Sequence, residues 1–495
     1  MSTQQPTDPR SSAHDGEPDQ PELERRVARS SLFTVGGYAA SNVLRLFSNV
    51  VLAQLLLPEV FGEMVLVGLL LLGIGMFSDV GIGPCLVQSR RGREEAFVHT
   101  AFTLQALRGF AIAALGWVIA PTFAGWYDEP SLVWPIRIAC ATAVLQGLNS
   151  TKWHTVTRDL ALGRKTIVEL STHVLSITIC VVWAYFDRSV WALVAGSVVQ
   201  AAGVAIGSHM ALPGARDGLR LERAALVEML TFGRWVFVST CVTFLALQSD
   251  RLILGKLVES LGLLGVYGMA VTIASIPTIL AGHLSGNVQF PLLAVHDRRD
   301  PSALEEAFLR QRETLLVALG SILLAVFWFA PLFFRTLYPE DFLSAGWIAQ
   351  WLCVAGWFAL LKQTSDRVLL VRGATRALAG VNLVAFLARA AGTIVGFHFA
   401  GMHGFLAGLV IGSMIEQLVV QRVVLALDLD VRRQDLLASA VAAAVITAGW
   451  QVRELVDTGL VSGPAAPLIE IGLGAVLLGL VTAQTVVRYR RVGLA

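Results

Sequence analysis

From residue 30 to residue 487 the chain is a succession of apolar stretches about 20 residues long, each sufficient for a helix to cross the roughly 30 Å hydrocarbon core of a bilayer. This repetition constrains the fold more than any motif. A lipid-immersed segment has no water to satisfy its peptide groups, so it must be a helix or part of a closed barrel. Barrel strands would be about half as long and would alternate in polarity, and these runs do neither. The fold class is therefore all-α integral membrane, with about 14 transmembrane helices at 30–52, 60–80, 99–120, 132–151, 167–186, 190–210, 232–250, 262–282, 314–334, 344–361, 378–397, 402–424, 434–452 and 464–487. Only 15% of residues are charged, against about 25% in a soluble domain.

Basic residues set the direction. With the N-terminus in the cytoplasm, the connections after even-numbered spans carry Arg90, Arg91 and Arg93, then Lys152 to Lys165, Arg216 to Arg223, Arg298 to Arg312, Lys362 to Arg376 and Arg422 to Arg433. Both tails are basic as well. The opposite connections are short and acidic or aromatic: Pro58-Glu59, Trp126-Tyr127-Asp128-Glu129 and Tyr338-Pro339-Glu340-Asp341. This asymmetry places both termini on the cytoplasmic side; the resemblance given below implies a bacterial plasma (inner) membrane. No loop is long enough for a separate catalytic domain. The organisation expected is a disordered polar tail (1–29), a six-helix bundle (30–210), a cytoplasmic linker (211–231), a second six-helix bundle (232–424), and two additional helices with a short tail (425–495). Arg25-Arg26 reads as the flank of a permanent span rather than a twin-Arg export signal, because many spans follow. The net charge of +2 gives no affinity for nucleic acid. Cys85, Cys140, Cys180, Cys241 and Cys353 are scattered, as small buried residues would be. His173, His209 and His283 show no ligand spacing, so no metal or other cofactor is expected.

Two stretches echo each other. SNVVLAQLLLPEVFGEMVL (Ser48–Leu66) and SDRLILGKLVESLGLLGVYGMAV (Ser249–Val271) each run from a polar pair through aliphatics and an acid to a glycine and the next span. Gly62 and Gly265 correspond if the second copy has two extra residues. Six spans apart, the copies cross in the same direction, which predicts two parallel halves about an axis along the membrane normal. Span 2 ends in FSDVGIGPCLVQSRR (Phe77–Arg91), where Gly81, Gly83 and Pro84 break the helix and form a candidate hinge.

Together these stretches resemble the bacterial polysaccharide flippases, the lipid-linked oligosaccharide exporters of the multidrug/oligosaccharidyl-lipid/polysaccharide superfamily. The resemblance rests on LAQLLLPEVFGEMVLV, on FSDVGIGPCLVQ (similar to the family's Phe-x-Asp-x-Gly…Leu-x-Gln turn), on QSDRLILGKLVESLGLLGVYGMA and on VQFPLLAVH. It implies two six-helix bundles around a central cavity, two extra C-terminal helices, and alternating access. The substrate implied is a polyprenyl-diphosphate-linked oligosaccharide repeat unit, for exopolysaccharide, capsule or O-antigen assembly. The partners implied are that substrate, membrane lipid, a polysaccharide polymerase and a chain-length regulator; a monomer is compatible with this layout. A cation-coupled multidrug exporter or a peptidoglycan-precursor flippase of the same superfamily is the alternative. A membrane polymerase or ligase fits less well, because it would need a large outer loop.

Charges inside spans are costly and so are candidates for function. Arginine suits a diphosphate, being always charged and able to grip phosphate oxygens in pairs. Arg45 in span 1, Arg108 in span 3 and Arg389 in span 11 are the candidates for the head-group cavity, with an internal ion pair as the competing reading. Arg137 and Arg234, near span ends, suit snorkelling to the interface. Glu416, Asp79 and Asp250 are the candidates for coupling to a proton or sodium gradient. For Asp79 the competing role is a turn residue, and for Asp250 a structural pair with Arg251. The small residues Gly404, Gly408 and Gly412 indicate close helix packing.

Overall fold

A computed structural model describes residues 36–37, 40–78, 81–89, 91–92, 94–158, 162–214, 216–299 and 304–457. The predicted N-terminal tail, Asp79, the last span (464–487) and the basic C-terminal tail lie outside the described residues. Among the described residues every regular element is helical.

The elements of the first half are α1 (Ala40–Ala53), α2 (Pro58–Phe77), the short α3 (Ile82–Gln88), α4 (Glu95–Trp126), α5 (Val133–Ala139), α6 (Ala141–Gly147), α7 (Lys152–Arg158), α8 (Leu162–Phe186) and α9 (Val190–Met210). Those of the second are α10 (Arg223–Leu257), α11 (Leu261–Ala274), α12 (Ile276–Leu284), α13 (Phe290–Arg299), α14 (Leu304–Leu337), α15 (Ser344–Val371) and α16 (Thr375–Leu425); α17 (Arg432–Asp457) follows. Helix starts carry expected chemistry. Pro58 opens α2, where its missing N–H costs nothing, and Ser260 caps α11 by accepting from the Gly262 N–H at 3.1 Å.

Two spans are broken and one helix is really two. Span 4 is divided between α5 and α6, and span 8 bends by 44° between α11 and α12, then continues through a π-helical turn at Ser285–Gln289. In α16 the backbone leaves helical geometry at Ala400 and Gly401 (φ +55°), and the chain folds back on itself. The two arms touch glycine to glycine, Gly392 on Gly408 and Gly396 on Gly404. These arms are the predicted spans 11 and 12, and the small residues pack as expected.

The halves repeat each other beyond the expected echo. Ala120-Pro121-Thr122-Phe123 lies near the end of α4 and Ala330-Pro331-Leu332-Phe333 near the end of α14. Each is followed by a tyrosine (Tyr127, Tyr338), a single 3-10 turn with a buried apolar residue (Leu132, Phe342), and the next span.

The halves meet across a two-fold seam at the acidic, aromatic end. A Cβ on Gly62 would strike the Leu261 carbonyl, and one on Gly265 would strike the Pro58 carbonyl and come 2.8 Å from the Gly62 nitrogen. Pro58 and Leu261 are related by the same interval as Gly62 and Gly265, so the contact is isologous, as at a dimer axis. The flanks obey the same rule. Gln54 at the end of the first half's first span donates to the Leu337 carbonyl, at the end of the second half's third span, at 3.0 Å. Lys256 near the end of the second half's first span donates to the Trp126 carbonyl, at the end of the first half's third span, at 2.7 Å. A single apolar core runs through this seam, from Leu52 and Leu66 across Leu264 and Tyr267 to Phe342 and Phe405.

Among the cations predicted to lie in cytoplasmic connections, Lys362 and Arg312 are drawn into the helix bundle. Lys362 belongs to α15 and Arg312 to α14, and Arg312 is fully buried. Hydropathy ends a span where charges cluster, as at Lys362, Asp366 and Arg367. A charge whose partner is on a neighbouring helix need not end one.

Candidate functional site

The second half holds a connected set of buried charges. Gly412 allows the second arm of α16 to lie against Arg389 on the first, a Cβ there coming 2.7 Å from the Arg389 Cα. Arg389 reaches Glu416 through a short charge-assisted hydrogen bond and donates to the Ala246 carbonyl on α10 at 3.3 Å. The other Glu416 oxygen lies 3.3 Å from Lys362 Nζ, which also meets Asp366 at 3.1 Å and Asn382 at 3.1 Å. Asp250 on α10 accepts from the fully buried Tyr267 hydroxyl at 2.5 Å. The Arg389–Glu416 and Lys362–Asp366 charges cancel pairwise, as buried charges must.

Asp250 and Arg389 face one cavity of about 140 Å³, whose wall adds Ser249, Ser275, Thr278 and Ser413. Several polar atoms nearby have no protein partner: Asp250 Oδ1, Asp366 Oδ1, Arg389 Nε and Gln363 Oε1. Such atoms ask for water or a small ion. The space holds a few waters, not a sugar.

Next to this set, Arg312 ties α17 to the second half. It donates to Asp435 at 2.5 Å, Gln434 at 2.7 Å and Ser365 at 3.1 Å, and Gln417 supports Asp435 at 2.8 Å.

The first half is arranged differently. Arg108 on α4 secures the end of α2, bonding the Gly75 carbonyl at 2.7 Å and Ser78 Oγ at 3.2 Å. Arg45 is exposed on α1 and bonds Asn42 one turn away at 2.7 Å. The structure thus brings Arg389, Glu416 and Asp250 together, and leaves Arg45 and Arg108 on the other half. Asp250 takes Tyr267 as its partner, while Arg251 donates to Gln248 at 2.8 Å. Reasoning from the sequence missed Lys362, Asp366 and Tyr267. The i,i+4 spacing of Lys362 and Asp366 was the available signal.

At the basic end, the candidate hinge resolves into parts. The break lies between Phe77 and Ile82, and Gly81 takes a left-handed conformation (φ +63°) that L side chains resist. Gly83 and Pro84 lie within α3 rather than ending a helix. A Cβ on Gly83 would come 2.8 Å from the His154 ring on α7. Burial, helped by the Lys165 charge, pushes the His154 imidazole down to about 4. Beyond α3, Arg91 bonds Glu222 at 2.9 Å and Ser89 bonds Glu228 of α10 at 2.8 Å. Ile82, Leu86 and Phe97 pack with Ala225 and Met229 below them. The connection between the halves is fixed to the first half. Asp217 accepts from Ser150 at 2.5 Å and from the Thr151 N–H at 3.1 Å, and the Glu222 N–H donates to Thr100 at 2.9 Å.

Comparison with known proteins places this geometry. Residues 51–346 match the family described as "Polysaccharide biosynthesis protein". The teichuronic acid biosynthesis protein TuaB of Bacillus subtilis (strain 168) is 22% identical over 60% of this chain and 61% of its own length. The lipopolysaccharide biosynthesis protein WzxC of Escherichia coli (strain K12) is 20% identical over 76% of each. The match to TuaB thus spans about three fifths of that relative. Among solved structures, the lipid II flippase MurJ in an inward closed conformation superposes with a TM-score of 0.69, covering 93% of this chain and 99% of that one at 12% identity. An inward-facing multidrug resistance transporter of the MATE family reaches 0.59, over 82% and 95%, at 14% identity. Both likenesses are of fold.

Proposed function

The chain belongs to the polysaccharide biosynthesis protein family, and from that premise we propose that it is a flippase. Its cargo is a polyprenyl-diphosphate-linked oligosaccharide repeat unit, carried from the cytoplasmic to the periplasmic leaflet of the bacterial inner membrane for exopolysaccharide, capsule or O-antigen synthesis. Both termini are cytoplasmic, as the basic connections favour. The work is transport and requires no catalytic group.

The observation that carries this reading is the two-fold seam. Two parallel halves that touch by isologous contacts at one end can rock about that contact and exchange it for contact at the other. In this conformation the acidic, outer end is sealed through Gly62 and Gly265. Span 8 meets α2 of the first half through α11, then bends by 44°, and α12 packs on α14 and α15 of its own half. At the opposite end α3 meets the start of α10, where Arg91 and Ser89 bond Glu222 and Glu228. Among the three candidate arginines, the exposed Arg45 is the one we assign to the diphosphate. We assign coupling, to a proton or sodium gradient, to Glu416 and Asp250. Their neighbourhood is small and polar, so uptake of one cation changes its charge. A polymerase and a chain-length regulator are the partners such a carrier serves.

The test is a strain lacking the protein, with repeat units radiolabelled and their leaflet determined by accessibility to a membrane-impermeant oxidant. Accumulation on the cytoplasmic leaflet with loss of surface glycan is expected. Normal arrival at the periplasmic leaflet would sink the proposal and point to a later step. Normal glycan throughout would point to another cargo, such as a drug.

A further inference from the structure

Among the described residues, Arg137 differs from six other cations carried by the helices. Arg45, Arg108, Arg251, Arg312, Lys362 and Arg389 each donate to a protein oxygen. Arg137 instead lies between two indoles, its guanidinium carbon 5.1 Å from the Trp117 ring centre and 5.2 Å from that of Trp134. The two rings stand edge to face at 6.3 Å. The buried Nε has no hydrogen-bond partner. Rings hold a cation by its faces, which leaves the in-plane N–H groups of the guanidinium unused. A guanidinium held at this depth is costly unless an acceptor completes it.

The surroundings are those of a lipid site. Trp117 and Trp134 are 45% and 56% exposed, and below them Leu115 and Ile138 also face outward. Trp117 is nine residues from the end of α4 at Trp126, about 13 Å at a helical rise, near the boundary of head groups and acyl chains. Helical side chains lean toward their helix N-terminus, which for α5 is the acidic end. An acceptor for Arg137 therefore comes from the head-group layer, with apolar chains beneath it. Arginine's fork fits two phosphate oxygens.

We propose that Trp117, Trp134 and Arg137 form a binding site for the phosphate of a membrane phospholipid in the leaflet at the acidic, aromatic end, with its acyl chains along Leu115 and Ile138. The site lies on the outer face of the first half and is independent of the cargo. Bound there, a phospholipid fastens α4 to the broken span 4.

Native mass spectrometry of the full chain, purified in detergent and titrated with phosphatidylglycerol, tests this. Arg137→Gln is expected to weaken the tightest bound phosphatidylglycerol by at least about tenfold, the scale of losing a charge-assisted hydrogen bond. Digalactosyl diacylglycerol, which has the chains but no phosphate, should not compete. Unchanged binding in Arg137→Gln would overturn the proposal. Equal competition by the galactolipid would mean that the surface holds acyl chains alone, and displacement by millimolar inorganic phosphate would mean a site for a free anion. If Arg137→Gln does not fold, the two competitions on the wild-type protein decide.

Discussion

In the first half, the hairpin of α8 and α9 packs Gly203 on Thr172 and Gly196 on Cys180 and Ser176. In the second, the hairpin within α16 packs Gly412 on Arg389, whose guanidinium reaches Glu416. Small residues bring two helices together in both cases. What they bring together is a row of hydroxyls in one half and a charge network in the other. The backbone repeats because a repeated span pattern demands it. The chemistry does not repeat, so the buried charge network lies on one side of the two-fold only.

This contrast can be broken by experiment. The largest effect is expected from Glu416→Gln or Arg389→Gln. Each leaves a buried charge unpaired and should cost about 3–5 kcal/mol, read as a lower unfolding temperature in detergent, and the double variant should recover part of the loss. Ser176→Ala in the first half, which removes a hydrogen bond to the Gly196 carbonyl across the hairpin, should cost about 0.6 kcal/mol. Equal effects in the two halves would erase the contrast.

The seam gives the opposite expectation, because there the halves are alike. Gly62→Leu and Gly265→Leu each drive a side chain into a facing backbone, about 1–3 kcal/mol against the closed acidic end. Repeat-unit transport should fall by similar factors in both variants while membrane abundance holds. A tenfold disparity would mean that the seam is not two-fold in energy.

Two smaller effects separate the basic ends. Gly81→Ala places a side chain in a left-handed conformation, a strain of about 1–2 kcal/mol, and should slow transport without lowering abundance; unchanged transport would remove Gly81 as a hinge. His154, neutral in the fold to about pH 4 but ordinary when unfolded, contributes stability that is complete above pH 6.5 and declines as pH falls from there toward 4. A melting series over that interval should flatten in His154→Gln.

The spans were legible because length and hydropathy report directly on lipid contact, and the fold-back at Gly401 fell where the predicted spans 11 and 12 divide. The site was legible only in part. Glu416, Arg389 and Asp250 were visible as charges in apolar runs. Their grouping depends on a fold-back between residues far apart in the chain and on Gly412 lying opposite Arg389. Lys362 and Arg312 were read as loop residues, because charge at the edge of an apolar run looks the same whether it meets water or a partner helix. Arg45 and Arg108 were visible for the same reason as Arg389, and the fold gives them to the other half. The matched Ala-Pro-x-Phe segments went unseen, since only two identical positions flank each proline and helical context gives them meaning.

The seam at Gly62 and Gly265 has a thermal consequence. Glycine has no rotamers, so bringing these helices together freezes no side chain at the point of contact. What favours contact is the apolar surface beside it, Leu66 and Leu264 above all, and wherever water enters the parted seam that contribution weakens on cooling. Cold should therefore shift the population toward the parted seam, and a spin-label pair across it would record this as a distance that lengthens as temperature falls.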